Sequence, residues 1–347
     1  MKSSVRTWLI AVYVMVFTMV LIGGITRLTG SGLSMVEWRP LMGALPPLSE
    51  AEWVRVFERY QLSPQYAQVN SWMELADFQK IFFWEYLHRL WGRLIGLVFF
   101  LPWVYFMARK RLSGAWARRT FIAFVLGGSQ GLLGWFMVKS GLVDMPHVSH
   151  LRLAAHLSLA FFVGHYVLWL IYDLTWPDRG SKSKEPSAPS TRLTWAFIAV
   201  LSLQIVYGAF MAGTRAGFIS STWPDINGSM LPSEMGAMSP IAIDLIENLF
   251  TIHFIHRTLG YVVFALGLYL WRQSISGAKN QVQRQAGRLL AAICLTQVLL
   301  GIATVMMHVP TWVATLHQGG AYLLLTAAVA LLHGASTTPA PALAPSR

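Results

Sequence analysis

Eight apolar stretches, separated by shorter polar connections, dominate the pattern of the chain. They run over about 8–26, 81–107, 120–138, 151–172, 193–213, 249–271, 289–307 and 312–333. A helix needs about 20 predominantly apolar residues to cross the hydrocarbon core of a bilayer. The pattern therefore predicts an all-α polytopic membrane protein with eight transmembrane helices.

The pattern also repeats once along the chain. Gly-Ile-Thr-Arg at 24–27 matches Ala-Gly-Thr-Arg at 212–215, and the His-Arg pair at 88–89 matches 256–257. Gln-Gly-Leu-Leu-Gly at 130–134 likewise matches Gln-Val-Leu-Leu-Gly at 297–301. A unit with an even number of spans keeps its orientation when it is duplicated. We expect two four-helix bundles related by a pseudo-twofold axis along the membrane normal.

Polar, Pro- and Ser-rich segments mark the expected boundaries of these units. The first unit covers 1–173 and the second 192–334, joined by a linker over 174–191. The composition of the linker is typical of a disordered connection. The tail over 335–347 consists mainly of Ala, Pro, Ser and Thr and is expected to be disordered.

Charge favours a membrane partner over nucleic acid, although the formal net charge is +12. Only 12% of residues are charged, and the basic ones cluster near 2–6, 109–119, 179–192 and 272–288, at the N-terminus and in alternate connections. This positive-inside distribution predicts cytoplasmic termini. The start Met-Lys-Ser-Ser at 1–4 leads into the first span without a small-residue cleavage site or an Arg-rich leader, which predicts a retained first span and a bacterial inner membrane as the location. The single cysteine, Cys294, excludes an intrachain disulfide and argues against a thiolate metal site.

Four histidines lie at matched depths near the outer ends of their spans. They pair within halves, as His88 with His156 and His256 with His317. An ionisable side chain within a bilayer is costly and usually functional. Zinc normally takes three or four grouped ligands, whereas two imidazoles on separate helices suit the axial positions of a haem iron. The alternative is that each histidine only makes hydrogen bonds between helices.

Arginines near the same ends of the spans could supply charge for haem propionates. They are, two in each half, Arg27, Arg89, Arg215 and Arg257. For Arg27 and Arg215 the alternative is a helix cap at the end of the span.

Glu85 distinguishes the first half from the second, because His253 stands at the corresponding position. It precedes His88 by one turn on the same helix face, so it is a candidate catalytic carboxylate. The alternative is an ion pair with Arg89 or Arg93.

The motif set resembles that of the haem A synthases, and the loop over 36–47 looks most like that of their alphaproteobacterial and mitochondrial branch. The resemblance is carried by Gly-Gly-Ile-Thr-Arg-Leu-Thr-Gly-Ser-Gly-Leu-Ser-Met at 23–35, Glu-Tyr-Leu-His-Arg at 85–89, Ala-His at 155–156, His-Arg at 256–257 and Leu-His-Gln at 316–318. It spans nearly the whole chain. A cysteine pair that some members carry in the first outer loop is absent.

The resemblance implies an eight-helix oxidoreductase that oxidises the C8 methyl of haem O to the formyl group of haem A. It implies that His256 and His317 ligate a haem b cofactor. His88 and His156 would ligate or face the substrate haem, beside Glu85. A haem O synthase and oxidase assembly factors are the implied protein partners.

Two other functions stay open from the residues alone. A quinol-linked di-haem cytochrome b would use the same histidines without a bound substrate. A transporter or haem-export channel would need a polar path through the midplane, where this chain is mostly apolar. Small residues over 127–131 permit close helix contacts and a homo-oligomer without requiring one.

Overall fold

A computed structural model describes residues 2–37, 45–112, 114–142, 145–176, 189–277 and 281–336. It confirms the all-α class and contains eight helices long and apolar enough to span a membrane. These are α1 (Lys2–Leu28), α3 (Leu75–Ala108), α4 (Gly114–Lys139), α5 (His150–Thr175), α6 (Thr191–Thr214), α8 (Leu249–Gly277), α9 (Gln281–Met306) and α10 (Thr311–Ala335). Two shorter helices lie between spans, α2 (Glu50–Gln61) and α7 (Ile241–Glu247). Most spans extend past the predicted apolar stretch, because a helix continues into polar turns beyond the hydrocarbon.

The helices of each half contact one another in a closed ring. In the first half α1 and α4 each contact both α3 and α5, and in the second half α6 and α9 each contact both α8 and α10. The halves meet where α1 contacts α10 and where α5 contacts α6 and α10. The pseudo-twofold axis stays a prediction. Residues 177–188 of the predicted linker over 174–191, and residues 337–347 of the predicted tail over 335–347, lie outside the described residues. The described ends of these segments are partly helical, because α5 continues to Thr175, α6 begins at Thr191 and α10 continues to Ala335.

The main core lies where the halves meet, because α1, α5, α6 and α10 are the most buried spans. Tyr322 of α10 packs there against Phe17 of α1 and Phe161 of α5, with ring centroids 5.4 and 5.1 Å away. This packing sets the positions of α5 and α10, and each of these helices carries one of the four candidate histidines near its outer end.

A buried charged cluster joins the opposite ends of the same helices. Arg119 Nη2 of α4 lies 2.5 Å from Asp173 Oδ2 of α5, and His333 Nε2 of α10 lies 2.9 Å from Asp173 Oδ1. Asp173 and His333 are both almost fully buried. The cluster therefore links the two halves at the end that the charge pattern predicts to be cytoplasmic.

The segment between α1 and α3 packs against α3 through α2. Ser49 Oγ accepts a hydrogen bond from the Glu52 backbone N–H at 3.3 Å, as in a capping box at the N-terminus of α2. Glu52 Oε2 accepts from the Leu48 N–H instead of the Ser49 N–H that completes the usual box. Tyr60 of α2 stacks on Phe78 of α3, with ring centroids 5.0 Å apart.

Candidate functional site

The two histidines of the second half face each other. His256 of α8 and His317 of α10 have ring centroids 6.4 Å apart and ring planes at 82°. Two metal–nitrogen bonds of about 2 Å to a shared iron, with roughly 1.1 Å from each nitrogen to its ring centre, would separate the centroids by about 6.2 Å. The observed separation is therefore compatible with two imidazoles that hold one iron.

Each imidazole of this pair lies against a glycine of the neighbouring helix. An ideal Cβ on Gly208 of α6 would lie 3.2 Å from His256 Cε1, and one on Gly301 of α9 would lie 3.2 Å from His317 Cε1. Any other residue would press on the ring. The Nδ1 atoms of both histidines are buried without a hydrogen bond of normal geometry.

The first half has the same kind of arrangement. An ideal Cβ on Gly23 of α1 would lie 3.2 Å from His88 Nε2, and one on Gly134 of α4 would lie 2.9 Å from His156 Cε1. The structure therefore brings together the pair that the sequence predicts in the second half, and in the first half it places the two rings against the neighbouring spans α1 and α4.

The donor set fits haem better than a bare metal ion. Among the described residues, no group of three or more His, Cys, Asp or Glu side chains could hold a metal. Paired imidazoles are the ligand set of a bis-histidine haem, and glycines that leave space beside each ring are compatible with it.

Glu85 is buried, with 2% of its surface exposed, and both of its oxygens are engaged. Oε2 accepts from Ser34 Oγ and from the Met35 N–H, each at 2.7 Å. Oε1 accepts from Arg89 Nη2 at 2.5 Å. The ion pair with Arg89 that was weighed as the alternative is therefore present, and the bonds from Ser34 and Met35 attach the segment after α1 to the helix that carries His88. The catalytic role of Glu85 stays a prediction.

Arg89 and Arg257 each hold a loop of their own half that the charge pattern predicts to lie outside. Arg89 donates to the Met35 and Glu37 carbonyls at 2.8 and 3.2 Å. Arg257 donates to three carbonyls of the loop after α6, those of Thr222, Pro224 and Asp225.

His253 takes the place of Glu85 in the second half, where its Nε2 lies 3.1 Å from Arg257 Nη2. Both arginines thus stabilise a loop beside a histidine pair, and their contact with a propionate stays a prediction.

Arg27 and Arg215 lie together between the halves. Arg27 Nη2, from α1, donates to the Ala212 and Gly213 carbonyls at 2.9 Å each, and so caps α6 of the other half. Arg215 is the C-cap residue of α6, with φ of 61°. Both line one cleft of about 440 Å³. The cap role weighed for these arginines is therefore observed, and for Arg27 it acts across the interface.

Glutamines near the histidines belong to the site, although the sequence analysis assigned them no role. Gln130 Nε2 lies 3.5 Å from His156 Nε2, and Gln204 Nε2 lies 3.5 Å from His256 Nε2. Each glutamine lies four residues before the glycine that the same histidine contacts, as Gln130 before Gly134 and Gln204 before Gly208. That recurring spacing was the available signal, and Gln204 was missed because its segment lay outside the matched motifs.

Comparison with known proteins places the chain in one family. Residues 6–329 match COX15-CtaA, described as "Cytochrome oxidase assembly protein". A "Heme A synthase" of Rhodospirillum centenum is 45% identical over 333 residues, covering 95% of this chain and 88% of the relative. A protein of the same name from Bradyrhizobium sp. (strain BTAi1 / ATCC BAA-1182) is 45% identical, and the match covers 94% of this chain and 90% of the relative. Another from Flavobacterium johnsoniae is 40% identical, and the match covers 96% of this chain and 98% of the relative.

Proposed function

The chain belongs to the COX15-CtaA family of cytochrome oxidase assembly proteins, and we propose on this basis that it is a membrane-embedded haem A synthase. Its substrate is haem O and its product is haem A. The proposed reaction is the stepwise oxidation of the C8 methyl of haem O to a formyl group, which removes electrons and protons and adds one oxygen atom.

The facing histidines are the observation that carries the proposal. His256 and His317, whose separation fits a shared iron, would hold a haem b in the second half. That haem would supply a redox centre able to take electrons from the substrate. Four mutually contacting helices surround the pair, which favours a retained cofactor.

The substrate haem would lie in the first half between His88 and His156. Glu85 sits one turn before His88, where a carboxylate can stabilise positive charge at the reacting edge or accept a proton at Oε1. Its bonds to Ser34 and Met35 keep the outer segment packed over that edge. Loss of Glu85 would therefore remove both the charge and the packing.

The four arginines would supply positive charge for the haem propionates. Arg89 and Arg257 stand one residue after a proposed iron ligand, and Arg27 and Arg215 share the cleft between the halves. A guanidinium that donates to a backbone carbonyl can donate instead to a propionate carboxylate, which is the stronger hydrogen-bond acceptor.

The remaining assignments concern location and partners. The multi-pass chain would lie in the bacterial inner membrane with both termini cytoplasmic. A haem O synthase would deliver the substrate and oxidase assembly factors would take the product. A homo-oligomer stays open.

Replacement of Glu85 tests the catalytic assignment. In a host that makes haem O, Glu85→Ala should abolish haem A, measured by chromatography of extracted haems, while bound haem b is retained. Glu74→Ala is the matched control, because Glu74 is an exposed carboxylate at the N-cap of the same helix. Normal haem A output from Glu85→Ala would remove Glu85 from the mechanism.

A second measurement separates the synthase from a di-haem electron carrier. The purified chain should contain haem b together with haem O or haem A. Two equivalents of haem b, with neither of the other haems, would favour the carrier and contradict the proposed function.

A further inference from the structure

Gln318 crosses from the second half of the molecule to the first. It follows His317 directly on α10, but its side-chain amide donates to the Val20 carbonyl of α1 at 2.7 Å. Only the NH2 group of the amide can donate to a carbonyl oxygen, so this contact fixes which way the amide points. The residue next to a proposed iron ligand of the second half is therefore bonded to a helix of the first half.

Glycines on both helices allow this close approach. An ideal Cβ on Gly24 of α1 would lie 3.1 Å from Gln318 Nε2. One on Gly319 of α10 would lie 2.6 Å from Leu21 Cδ2 of α1. Both distances are below the separation of about 3.5–4.0 Å at which non-bonded carbon atoms rest. A larger residue at either position would displace its neighbour, so α1 and α10 cross closely at the level of Gln318.

The same stretch of α1 forms the wall beside His88. An ideal Cβ on Gly23 would lie 3.2 Å from His88 Nε2. Because successive residues of an α-helix point about 100° apart, Gly23 can face α3 while the next residue, Gly24, faces α10. Thr26 Oγ1 also donates to the Trp84 carbonyl at 3.2 Å, one turn before His88 on α3. The position of α1 against α10 therefore affects the surroundings of His88.

The equivalent interface of the repeat cannot form this bond. There α5 contacts α6, as α10 contacts α1 in the interface that contains Gln318. The histidine motifs place Leu157 opposite Gln318, and the arginine motifs place Ala212 opposite Gly24. A leucine side chain has no N–H to donate. The hydrogen bond thus belongs to one of the two equivalent interfaces, the one that joins a ligand helix of the second half to the wall beside His88.

We propose that Gln318 is a positioning residue for the substrate site. It holds α1 against α10, and so keeps the Gly23 face of α1 where His88 packs against it. The helix that carries one ligand of the proposed haem b thereby sets the geometry of the site for haem O. This inference rests on the proposed function, because it requires His88 to face the substrate haem.

Gln318→Leu tests the inference, because leucine has a similar size and cannot donate a hydrogen bond. In the purified chain loaded with haem b, the affinity for haem O, measured by absorption titration, should fall on the order of 10-fold, since partners that orient a metal-bound histidine are worth about 10–100-fold. The EPR signal of bound ferric haem O should shift, while the haem b content stays unchanged. Gly24→Ala should act in the same way, because its Cβ would press on the amide. The double variant should be affected about as strongly as either single one, because both changes break the same contact.

Tyr13→Phe is the matched control. The Tyr13 hydroxyl lies 2.6 Å from Thr326 Oγ1, so it forms another short hydrogen bond between α1 and α10, about 10 Å along α1 from Val20. Its removal should lower the melting temperature but leave the affinity for haem O and the EPR signal unchanged.

Three outcomes are decisive. If Gln318→Leu binds haem O as tightly as Tyr13→Phe does, with an unchanged EPR signal, the positioning role is wrong. If Tyr13→Phe weakens haem O binding equally, Gln318 contributes only to general stability, which also overturns the inference. An unmodified chain that binds no haem O would instead contradict the proposed function itself.

Discussion

Gly134→Ala should damage the substrate site without disturbing the rest of the protein. The added Cβ would lie 2.9 Å from His156 Cε1. Non-bonded carbons rest at about 3.5–4.0 Å, so the imidazole or helix α4 must move by at least about 0.6 Å. Because a misplacement of about 1 Å can cost roughly 100-fold in rate, we expect haem A formation to fall on the order of 10-fold.

The assay measures haem A formed per bound haem b in membranes that contain haem O. Gly131→Ala is the matched control, since it lies on the same helix and its Cβ meets nothing within 4 Å. Gly208→Ala, with 3.2 Å to His256 Cε1, should disturb the second site more mildly. The reasoning is refuted if Gly134→Ala and Gly131→Ala form haem A at equal rates, because His156 would then not need its present position.

Three further predictions concern the surrounding structure. Arg27→Gln should lower the unfolding free energy by about 2 kcal/mol, because two charge-assisted hydrogen bonds to α6 are lost. Thermal unfolding in detergent measures this effect. Equal melting temperatures for the variant and the unmodified chain would contradict the prediction. The hydrogen bond from Thr251 holds the pKa of the Asp244 carboxyl below its usual value. The ionised carboxylate therefore stabilises the folded protein fully above about pH 4, the pKa of an unfolded Asp. This contribution to the unfolding free energy is lost as the pH falls through the lower pKa of the folded state. Hydrogen exchange at the Gly236 and Met238 amides, which donate to the Asp244 carboxylate, should report that acid transition, and Asp244→Asn should abolish it. Asp173→Asn should destabilise the protein by about 3–5 kcal/mol, since it removes the carboxylate that pairs with the partly buried guanidinium of Arg119 and with His333. A melting temperature equal to that of the unmodified chain would show that this cluster contributes nothing to stability.

The candidate site was predictable in its ligands and less so in its surroundings. His88, His156, His256 and His317 were identifiable because a histidine inside an apolar span is costly, and because their spacing repeats. The partners of Glu85 were only partly identifiable. Arg89 lies one turn away on the same helix, whereas the Ser34 and Met35 contacts depend on how the segment after α1 folds back.

The sequence by itself determined the eight spans and the depth of the histidines, because the bilayer imposes a length and an apolar composition on each crossing segment. Only the tertiary structure decided which helices meet. Arg27 reaches across to cap α6, and each imidazole lies against a glycine of a neighbouring span. These contacts depend on packing between segments far apart in the chain. A hydrophobic pattern records that a helix face is apolar, but not which other helix covers it.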